Sequence, residues 1–344
     1  MAERKNTSIL MKFVHSKLFW PLVALAVLLF FNVFMSPGFF NIQMKDGHLY
    51  GSLFDILNHA TPLILISLGM TIVIATQGID ISVGSIVAIS AVVAATIVVD
   101  TGNVFLAVMS GIVAGIVCGI WNGLLVSYIG IQPMVGTLIL YIVGRGIAQL
   151  ITSGQQMPFT NPAFVFIGTG YWLVPVACYV AIVVILIMYI LMRKTALGLF
   201  VESIGVNSTA SRFSGINAKR VIFFTYVICG ILSSIAGILI CSNIKSADAN
   251  NAGLWIELDA ILATVIGGTS MNGGRFYLGG TVVGALFIQT LTTTIYRLGI
   301  TPEVTLVAKA IVVILVCLIQ TPAFHKMLMK KKPVPVMKPA TENK

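Results

Sequence analysis

Ionisable side chains inside long apolar runs are the residues of this chain with the clearest potential for chemistry. Arg145 and Lys309 each interrupt an otherwise uncharged run, and Asp80 stands between two such runs. A charged group at membrane depth costs several kcal/mol unless it is paired or hydrated. Each of these residues is therefore a candidate for a gate or for a polar pathway across a membrane.

The string GIDISVG, residues 78–84, places Asp80 and Ser82 between glycines. Glycine permits a tight turn or close packing, and Asp80 and Ser82 have side chains that can cap the N-terminus of a following helix. Two interpretations are open at this point: a helix cap within a tight turn, and a part of the gate.

A second unusual segment begins with the polar string ADANN, residues 247–251, and ends in the glycine-rich residues 266–276. Between them lies an apolar run of only half the length of a span, which predicts a broken or re-entrant helix near 254–268. Asn250 and Asn251 are placed on the outer side, where a hydroxyl-rich solute would arrive. We expect this segment to line water or to be enclosed by protein.

Two acidic residues open that short apolar run. Glu257 and Asp259 are two positions apart and face different sides of a helix, so at most one of them points into a given cavity. An ion pair with a basic residue such as Arg145, or placement at the membrane interface, is the alternative to a role in the pathway.

Uncharged amides add to the candidates. Asn58 and Asn122 lie in or near apolar runs, where hydrogen bonding between helices is the commoner use of such side chains. The sequence has no ladder of carboxylates or histidines within its apolar runs, which argues against a proton-coupled carrier.

The loop 193–220 is the longest polar segment between apolar runs. Asn207 is a plausible N-cap for a short helix over 208–213, and Gly215 can end that helix. Such a helix is either a connector on the membrane surface or a docking element for a soluble motor subunit.

The composition of the chain indicates which class of fold must position these residues. Of 344 residues, 58% are apolar and 9% are charged, against about a quarter charged in soluble domains, and the mean hydropathy is +1.00. This excludes a soluble globular enzyme, a disordered chain and a nucleic-acid binder. The five cysteines have neither metal-ligand nor redox spacing, so no metal site is expected. The chain is predicted to be an all-α polytopic membrane protein.

Apolar runs long enough to cross a bilayer, about 20 residues, predict about ten transmembrane helices, of which the one near 254–268 is short or broken. The predicted spans are 18–36, 60–77, 81–99, 104–129, 134–152, 171–192, 221–244, 254–268, 277–296 and 304–320. With an N-terminus in the cytoplasm, sixteen of the 21 Lys and Arg residues fall on the cytoplasmic side and three on the other. This bias predicts that both termini are cytoplasmic.

The predicted organisation is a cytoplasmic N-terminal segment 1–17, a transmembrane domain 18–320 that contains the cytoplasmic loop 193–220, and a basic cytoplasmic tail 321–344. No soluble domain and no G-x-x-x-x-G-K-[ST] string occur, so any energy from ATP must come from another chain. The strings H-E-x-x-H, G-x-S-x-G and C-x-x-C are also lacking, which argues against a membrane-embedded enzyme.

Three separated strings occur in an order that resembles the permease subunits of bacterial ABC sugar importers of the ribose type. They are GIDISVG (78–84), VESIGVNSTASRFSGI (201–216) and ELDAILATVIGGTSMNGGRF (257–276). Gln77 stands where that family often has the first of two glycines. Within the family, residues 46–62, 131–155 and 247–261 resemble the galactofuranose-importing branch.

This resemblance implies a transport subunit of the bacterial inner membrane and not an enzyme. It implies three protein partners: an ABC ATPase, a second permease that is either a related chain or this one, and a periplasmic or extracellular sugar-binding protein. The two permeases would lie within the lipid bilayer. This chain would bind no cofactor, and ATP-Mg would bind the ATPase. The monosaccharide would be galactofuranose, with ribose or xylose as alternatives; a secondary carrier is a further alternative.

The resemblance also assigns candidate residues. In the coupling loop, where Ser203 and Ser211 replace two alanines of the family, the residues expected to couple to the ATPase are Glu202, Gly205, Asn207, Ala210, Arg212, Phe213, Ser214 and Gly215. The candidates for the pathway or gate are Asn58, Asp80, Ser82, Asn122, Arg145, Asn250, Asn251, Glu257, Asp259 and Lys309.

Overall fold

A computed structural model describes residues 18–35, 38–45 and 47–320 of the chain. The segments predicted as cytoplasmic ends, 1–17 and 321–344, lie outside these residues. The helices are α1 (Phe19–Met35), α2 (Ser52–Ala75), α3 (Val83–Thr101), α4 (Val104–Gly123), α5 (Pro133–Thr152), α6 (Pro162–Thr169), α7 (Val176–Arg193), α8 (Ala196–Val206), α9 (Ser208–Phe213), α10 (Ala218–Ile244), α11 (Ile256–Ile266), α12 (Leu278–Arg297) and α13 (Pro302–Gln320). Helix α4 continues as a π-helix over Leu124–Ile129.

Four short strands interrupt the helical architecture. Strand β1 (Gln43–Lys45) pairs with β2 (His48–Tyr50), and β3 (Met157–Pro158) pairs with β4 (Ser246–Ala247), both antiparallel. We call the side of the molecule that carries them the hairpin face, and the opposite side, which carries α8 and α9, the loop face. The all-α prediction therefore describes the helical body and misses the β1–β2 hairpin and the long-range pair of β3 and β4.

Seven helices of the described chain are long and apolar enough to cross a membrane: α2, α3, α4 with its π-helical continuation, α5, α7, α10 and α12. The other three predicted spans fall on α1, which has 17 residues, on α11, which has 11, and on α13, which has 19. The short span predicted near 254–268 is confirmed, whereas the count of ten and the side of the termini stay predictions.

Helices α2, α3, α10 and α12 form the centre of the helical body. In α2 and α3 the apolar stretch is 83% and 72% buried, against 28% in α4 and α5. The outward side chains of those peripheral helices are apolar, as expected for surfaces in contact with lipid.

A row of small residues brings α4 and α10 into contact. Four buried glycines recur at four-residue spacing on α4: Gly111, Gly115, Gly119 and Gly123. A Cβ atom on Gly115 would lie 2.4 Å from the Cβ of Ser234 and 2.6 Å from the carbonyl oxygen of Gly230. Without a hydrophobic force between helices in lipid, such close backbone packing is a main source of helix association.

We expect Gly115→Ala to destabilise the protein by about 1–3 kcal/mol, because the added methyl group overpacks this crossing. Gly146→Ala in α5 is the matched control, since a Cβ there meets no heavy atom within 4 Å. The midpoint of thermal unfolding in detergent should fall for Gly115→Ala and stay the same or rise for Gly146→Ala. Equal midpoints for the two variants would contradict this account.

Candidate functional site

A polar cavity lies between α2, α10, α11 and α12 toward the hairpin face. Its volume is about 270 Å³, and its polar lining includes Asn58, Asn243, Asp259 and Gln289. A neighbouring hollow of about 610 Å³ shares Asp259 and Gln289 with it and is also lined by Asn251, Trp255, Thr292, Tyr296 and Lys309. We call the two hollows together the outer cavity; four of the pathway candidates line it.

An ion pair forms one wall of the outer cavity. The Nζ atom of Lys309 lies 2.8 Å from Oδ2 of Asp259, which joins α13 to α11. Lys309 is buried, and pairing offsets part of the cost of removing its charge from water. Lys309 is therefore the cation that pairs with Asp259, and Arg145, the basic residue that the sequence suggests, forms no ion pair with Glu257 or Asp259 among the described residues.

Glu257 points away from the outer cavity. Its side chain is 3% exposed, and a Cβ atom on Gly84 would lie 2.5 Å from its Oε2 atom, which places it against the start of α3. Oε2 of Glu257 has no hydrogen-bond partner among the described residues. The prediction that Glu257 and Asp259 face different sides of one helix is confirmed.

Arg145 binds backbone carbonyls. Its Nη1 donates to the carbonyl oxygens of Ala252 at 2.7 Å and Ala249 at 3.2 Å, and Nη2 donates to that of Gly84 at 3.4 Å. Ala249 and Ala252 lie in the non-helical segment before α11, whose carbonyls have no helical partners. Arg145 thus holds this segment against α3 and α5.

The hairpin face of the same segment is held by Asp248. Oδ1 of Asp248 accepts the backbone N–H groups of Asn250 and Asn251, and Oδ2 accepts the amides of Gln156 and Asn251 at 2.9 and 2.8 Å. Partial burial raises the pKa of Asp248, but hydrogen bonds from Asn251, Gln156 and Asn250 outweigh it, so the pKa lies below its ordinary value. The Oδ1 atom of Asn250 accepts from Gln149 Nε2 at 2.7 Å, so Asn250 fixes the loop.

Three other pathway candidates meet in a separate buried cluster. Oδ1 of Asp80 accepts from the hydroxyl of Ser82 at 2.6 Å and from Nδ2 of Asn122 at 3.3 Å. Nδ2 of Asn122 also donates to Ser82 Oγ at 2.7 Å. The three side chains are fully buried, and none of them is among the described residues that line the outer cavity.

In the described part of the chain, no three His, Cys, Asp or Glu side chains lie together as metal ligands would.

The capping interpretation of GIDISVG is wrong in detail. Ser82 is the residue before α3, and its side chain makes no cap hydrogen bond to the helix. Asp80 instead accepts the backbone N–H of Ser82 at 3.0 Å, which closes a turn ahead of the helix. The hydroxyl of Ser82 donates to Asp80 and accepts from Nδ2 of Asn122, and these two bonds keep it away from the helix end.

The loop face carries the predicted short helix. Helix α9 follows Asn207, whose Oδ1 accepts the N–H of Ala210 at 3.0 Å, and Gly215 beyond its end has a φ of +84°. The predicted cap, helix and glycine stop are confirmed. Sequence reasoning missed α8, the helix before Asn207, although its apolar residues at 197, 200, 201 and 204 follow a helical period.

Glycine contacts on the loop face join residues 75–77, just before the string GIDISVG, to the other two motif strings. The backbone N–H of Gly274 donates to the carbonyl of Ala75 at 2.9 Å, and a Cβ on Gly205 would lie 1.8 Å from that same oxygen. Nε2 of Gln77 donates to the carbonyl of Gly205 at 2.9 Å. Gln77 has a φ of 65°, a conformation that glycine adopts without strain, which explains the glycine of the resembled family.

The exposed part of the loop face is apolar at its most prominent point. Phe213 is 89% exposed, beside a hollow of about 490 Å³ that is lined by Glu202, Asn207, Ala210 and Ser214 among others. Oε1 of Glu202 lies 3.6 Å from Nη1 of Arg193. An exposed aromatic next to a hollow is typical of a protein-binding surface.

The other coupling candidates lie close to this hollow. Arg212 lies in the last turn of α9 and is exposed, and Gly205 is buried beneath the surface at the contact with Ala75. Seven of the eight coupling candidates thus lie on α8, α9 and the turn after α9, with Gly205 beneath them.

The ten pathway candidates are divided among several places. Four line the outer cavity, three form the Asp80 cluster, and the remaining three, Arg145, Asn250 and Glu257, contact the segment before α11 or the start of α3.

Comparison with known proteins supports a transport role. The sequence profile of a family described as the permease component of branched-chain amino acid transport systems matches residues 52–317. The galactofuranose transporter permease YtfT of Escherichia coli is 45% identical over 90% of this chain and 92% of its own. The fructose import permease FruF of Bifidobacterium longum is 36% identical over 96% of each chain.

The ribose import permease RbsC of Escherichia coli is 35% identical over 87% of this chain and 92% of its own. No solved structure matches the chain.

We expect Gly205→Ala to loosen α8 from α2, because its methyl group cannot fit against the carbonyl of Ala75. Hydrogen exchange of the backbone amides in 196–216, followed by mass spectrometry, should be faster than in the unaltered protein. Gly279→Ala is the control, since a Cβ there meets no heavy atom within 4 Å. Unchanged exchange in Gly205→Ala would show that this contact does not hold the helix.

Proposed function

The chain belongs to the family described as the permease component of branched-chain amino acid transport systems, and on this basis we propose that the outer cavity and the loop face are the two ends of a sugar import pathway. Like its relatives, it is the permease subunit of an ABC sugar importer, and it is not an enzyme. We infer that the sugar is galactofuranose, since the relative that imports it is 45% identical.

The surface formed by α8 and α9 is the observation that carries the proposal. Helix α9 is polar, begins with a capping residue and is followed by a glycine stop, and it presents Phe213 with 89% of its side chain exposed. These properties are unlike those of a transmembrane helix. They are typical of a rigid element to which a soluble subunit binds. The partner of this surface is proposed to be the ABC ATPase, which binds ATP-Mg, so that the loop face is cytoplasmic and both termini lie on that side of the bacterial inner membrane.

The surface formed by α8 and α9 is in direct contact with the membrane-spanning body, so movement of one is expected to displace the other. Gly205 lies against Ala75 at the end of α2 and against Gly274 beyond the end of α11. Helix α11 has 11 residues and is therefore about 16 Å long. Its other end carries Asp259 and follows Trp255, both in the lining of the outer cavity. A shift of α8 is proposed to tilt α11 and thereby to open or close that cavity.

The outer cavity is proposed to receive the sugar from a periplasmic or extracellular binding protein. Asn58, Asp259 and Lys309 line it, and amide, carboxylate and ammonium groups are the partners that sugar hydroxyls need. The Asp80 cluster, which also contains Ser82 and Asn122, is proposed as the part of the gate nearer the loop face. A second permease, either this chain or a related one, would complete the membrane unit.

The remaining pathway candidates are proposed to act indirectly. Arg145 and Asn250 hold the loop that precedes α11, Asn251 both holds that loop and lines the cavity, and Glu257 packs against α3. These residues would fix the position of α11 between its two end states.

Phe213→Ala should separate ATP hydrolysis from transport. We expect sugar-stimulated ATPase activity in vesicles that contain the ATPase and the binding protein to fall at least about tenfold, the scale of a hot-spot aromatic. Phe224→Ala is the matched control, because Phe224 is half-exposed on the spanning helix α10. Full stimulated activity in Phe213→Ala would contradict the assignment of the docking surface.

The sugar is identified by the same reconstituted complex. We expect galactofuranose, delivered by the co-encoded binding protein, to stimulate ATP hydrolysis and to accumulate in the vesicles, while ribose, xylose and fructose do not. Stimulation by one of those three alone would reassign the substrate. Accumulation without the ATPase or without ATP would instead indicate a secondary carrier.

A further inference from the structure

Trp255 has a backbone conformation that a bulky residue seldom adopts. Its φ is 64° and its ψ is 5°, in the left-handed region where the Cβ of an L-residue lies too close to a carbonyl oxygen. It is the residue immediately before α11, where Gly253 two positions earlier is also left-handed. Such strain persists only where the surrounding structure enforces it, and it clusters at ligand sites.

The side chain of the strained tryptophan is only partly packed against the protein. Its side chain is 48% exposed and lines the 610 Å³ part of the outer cavity together with Tyr296, which is 52% exposed. A tryptophan needed only to fill space would be buried, since burial of its large apolar surface is what stabilises a protein. The conformation of Trp255 instead holds an aromatic face at the cavity.

Polar groups on neighbouring helices surround this aromatic face. The Asp259–Lys309 pair spans α11 and α13. Oδ2 of Asp259 is used by Lys309, and no hydrogen bond to Oδ1 is formed among the described residues. Gln289 on α12 makes only a weak contact, 3.5 Å from its Nε2 to Oγ1 of Thr293. Acceptors and donors are thus free to bind a ligand beside the tryptophan.

The volume and chemistry of the site match a monosaccharide. A cavity of about 610 Å³ lies within the range of about 300–1,000 Å³ of small-molecule sites, which combine aromatic walls with a few polar groups. A sugar ring has a face of C–H groups that can pack on an aromatic face and a rim of hydroxyls that need donors and acceptors.

We propose that Trp255 is a stacking platform for the ring of the transported monosaccharide, and that the Asp259–Lys309 pair and Gln289 bind its hydroxyl groups. This inference rests on the proposed function and adds to it the residues that recognise the sugar within the membrane subunit. Binding here is weak, since a site on a pathway must release its ligand, and capture belongs to the binding protein.

The test measures sugar binding to the permease–ATPase complex without the binding protein. The probes are methyl β-D-galactofuranoside, D-ribose and D-fructose, titrated by saturation-transfer NMR. We expect saturable binding of at least one probe, weakened about tenfold in Trp255→Leu and changed less than about threefold in Trp255→Phe, which keeps a flat aromatic face. Asp259→Asn should also weaken binding, because it removes the carboxylate acceptor and leaves Lys309 without its ion-pair partner.

Trp172→Leu is the matched control, since Trp172 is also a partly exposed tryptophan, 59% exposed, outside the outer cavity. Equal affinity in Trp255→Leu and the unaltered complex, equal losses in Trp172→Leu and Trp255→Leu, or no saturable binding of any probe would overturn the inference. Loss of binding in Trp255→Phe as well, in a complex that elutes intact, would assign Trp255 a structural role and also overturn it.

ATP-driven uptake with the binding protein, measured in the same preparation, separates the two proposals. Uptake by the unaltered complex together with unchanged binding in Trp255→Leu would leave the proposed function standing and reject the platform. Failure of the unaltered complex to take up any sugar would reject the proposed function itself.

Discussion

The need to satisfy every backbone polar group inside a bilayer is the constraint on which this structure depends. The chain violates helical regularity between α10 and α11, where the segment 245–255 leaves carbonyls without helical partners. Arg145 supplies three N–H···O bonds to carbonyls at this break, and close contact between Gly84 and the carbonyl of Gly253 excludes other atoms from it. The charge of Arg145, which would be unfavourable without partners, is thereby stabilised by these carbonyls and in turn stabilises the break in the helix.

The break determines where the functional groups point. Helix α11 begins at Ile256, after Trp255 has turned the chain through the left-handed region. From that starting point, Glu257 faces α3 and Asp259 faces the outer cavity, because two positions on a helix differ by about 200°. The same turn therefore separates a buried carboxylate from one that is open to a solute and paired with Lys309.

The far end of α11 leads to the loop face through contacts that only glycine permits. Gly205, Ala75 and Gly274 meet at backbone distance, and side chains longer than hydrogen would keep α8 away from the membrane body. Close-packed contacts of this kind transmit displacement because they cannot deform continuously. In the same place, Gln77 accepts a strained conformation and gains a hydrogen bond to Gly205, which ties the GIDISVG string to the coupling surface.

The amino-acid sequence by itself determined the membrane character, the shortened span near 254–268, the capped helix after Asn207 and the family, because each depends on composition, local period or adjacent residues. It did not determine which polar groups meet. Asp259 and Lys309 are 50 residues apart and Asp80 and Asn122 are 42 apart, and no local pattern links such positions. The role of Arg145 was equally hidden, since its partners are backbone carbonyls that carry no sequence signal. Those pairings were decided by tertiary packing, because the free energy of a polar group in a membrane depends on the atoms around it and not on its neighbours along the chain.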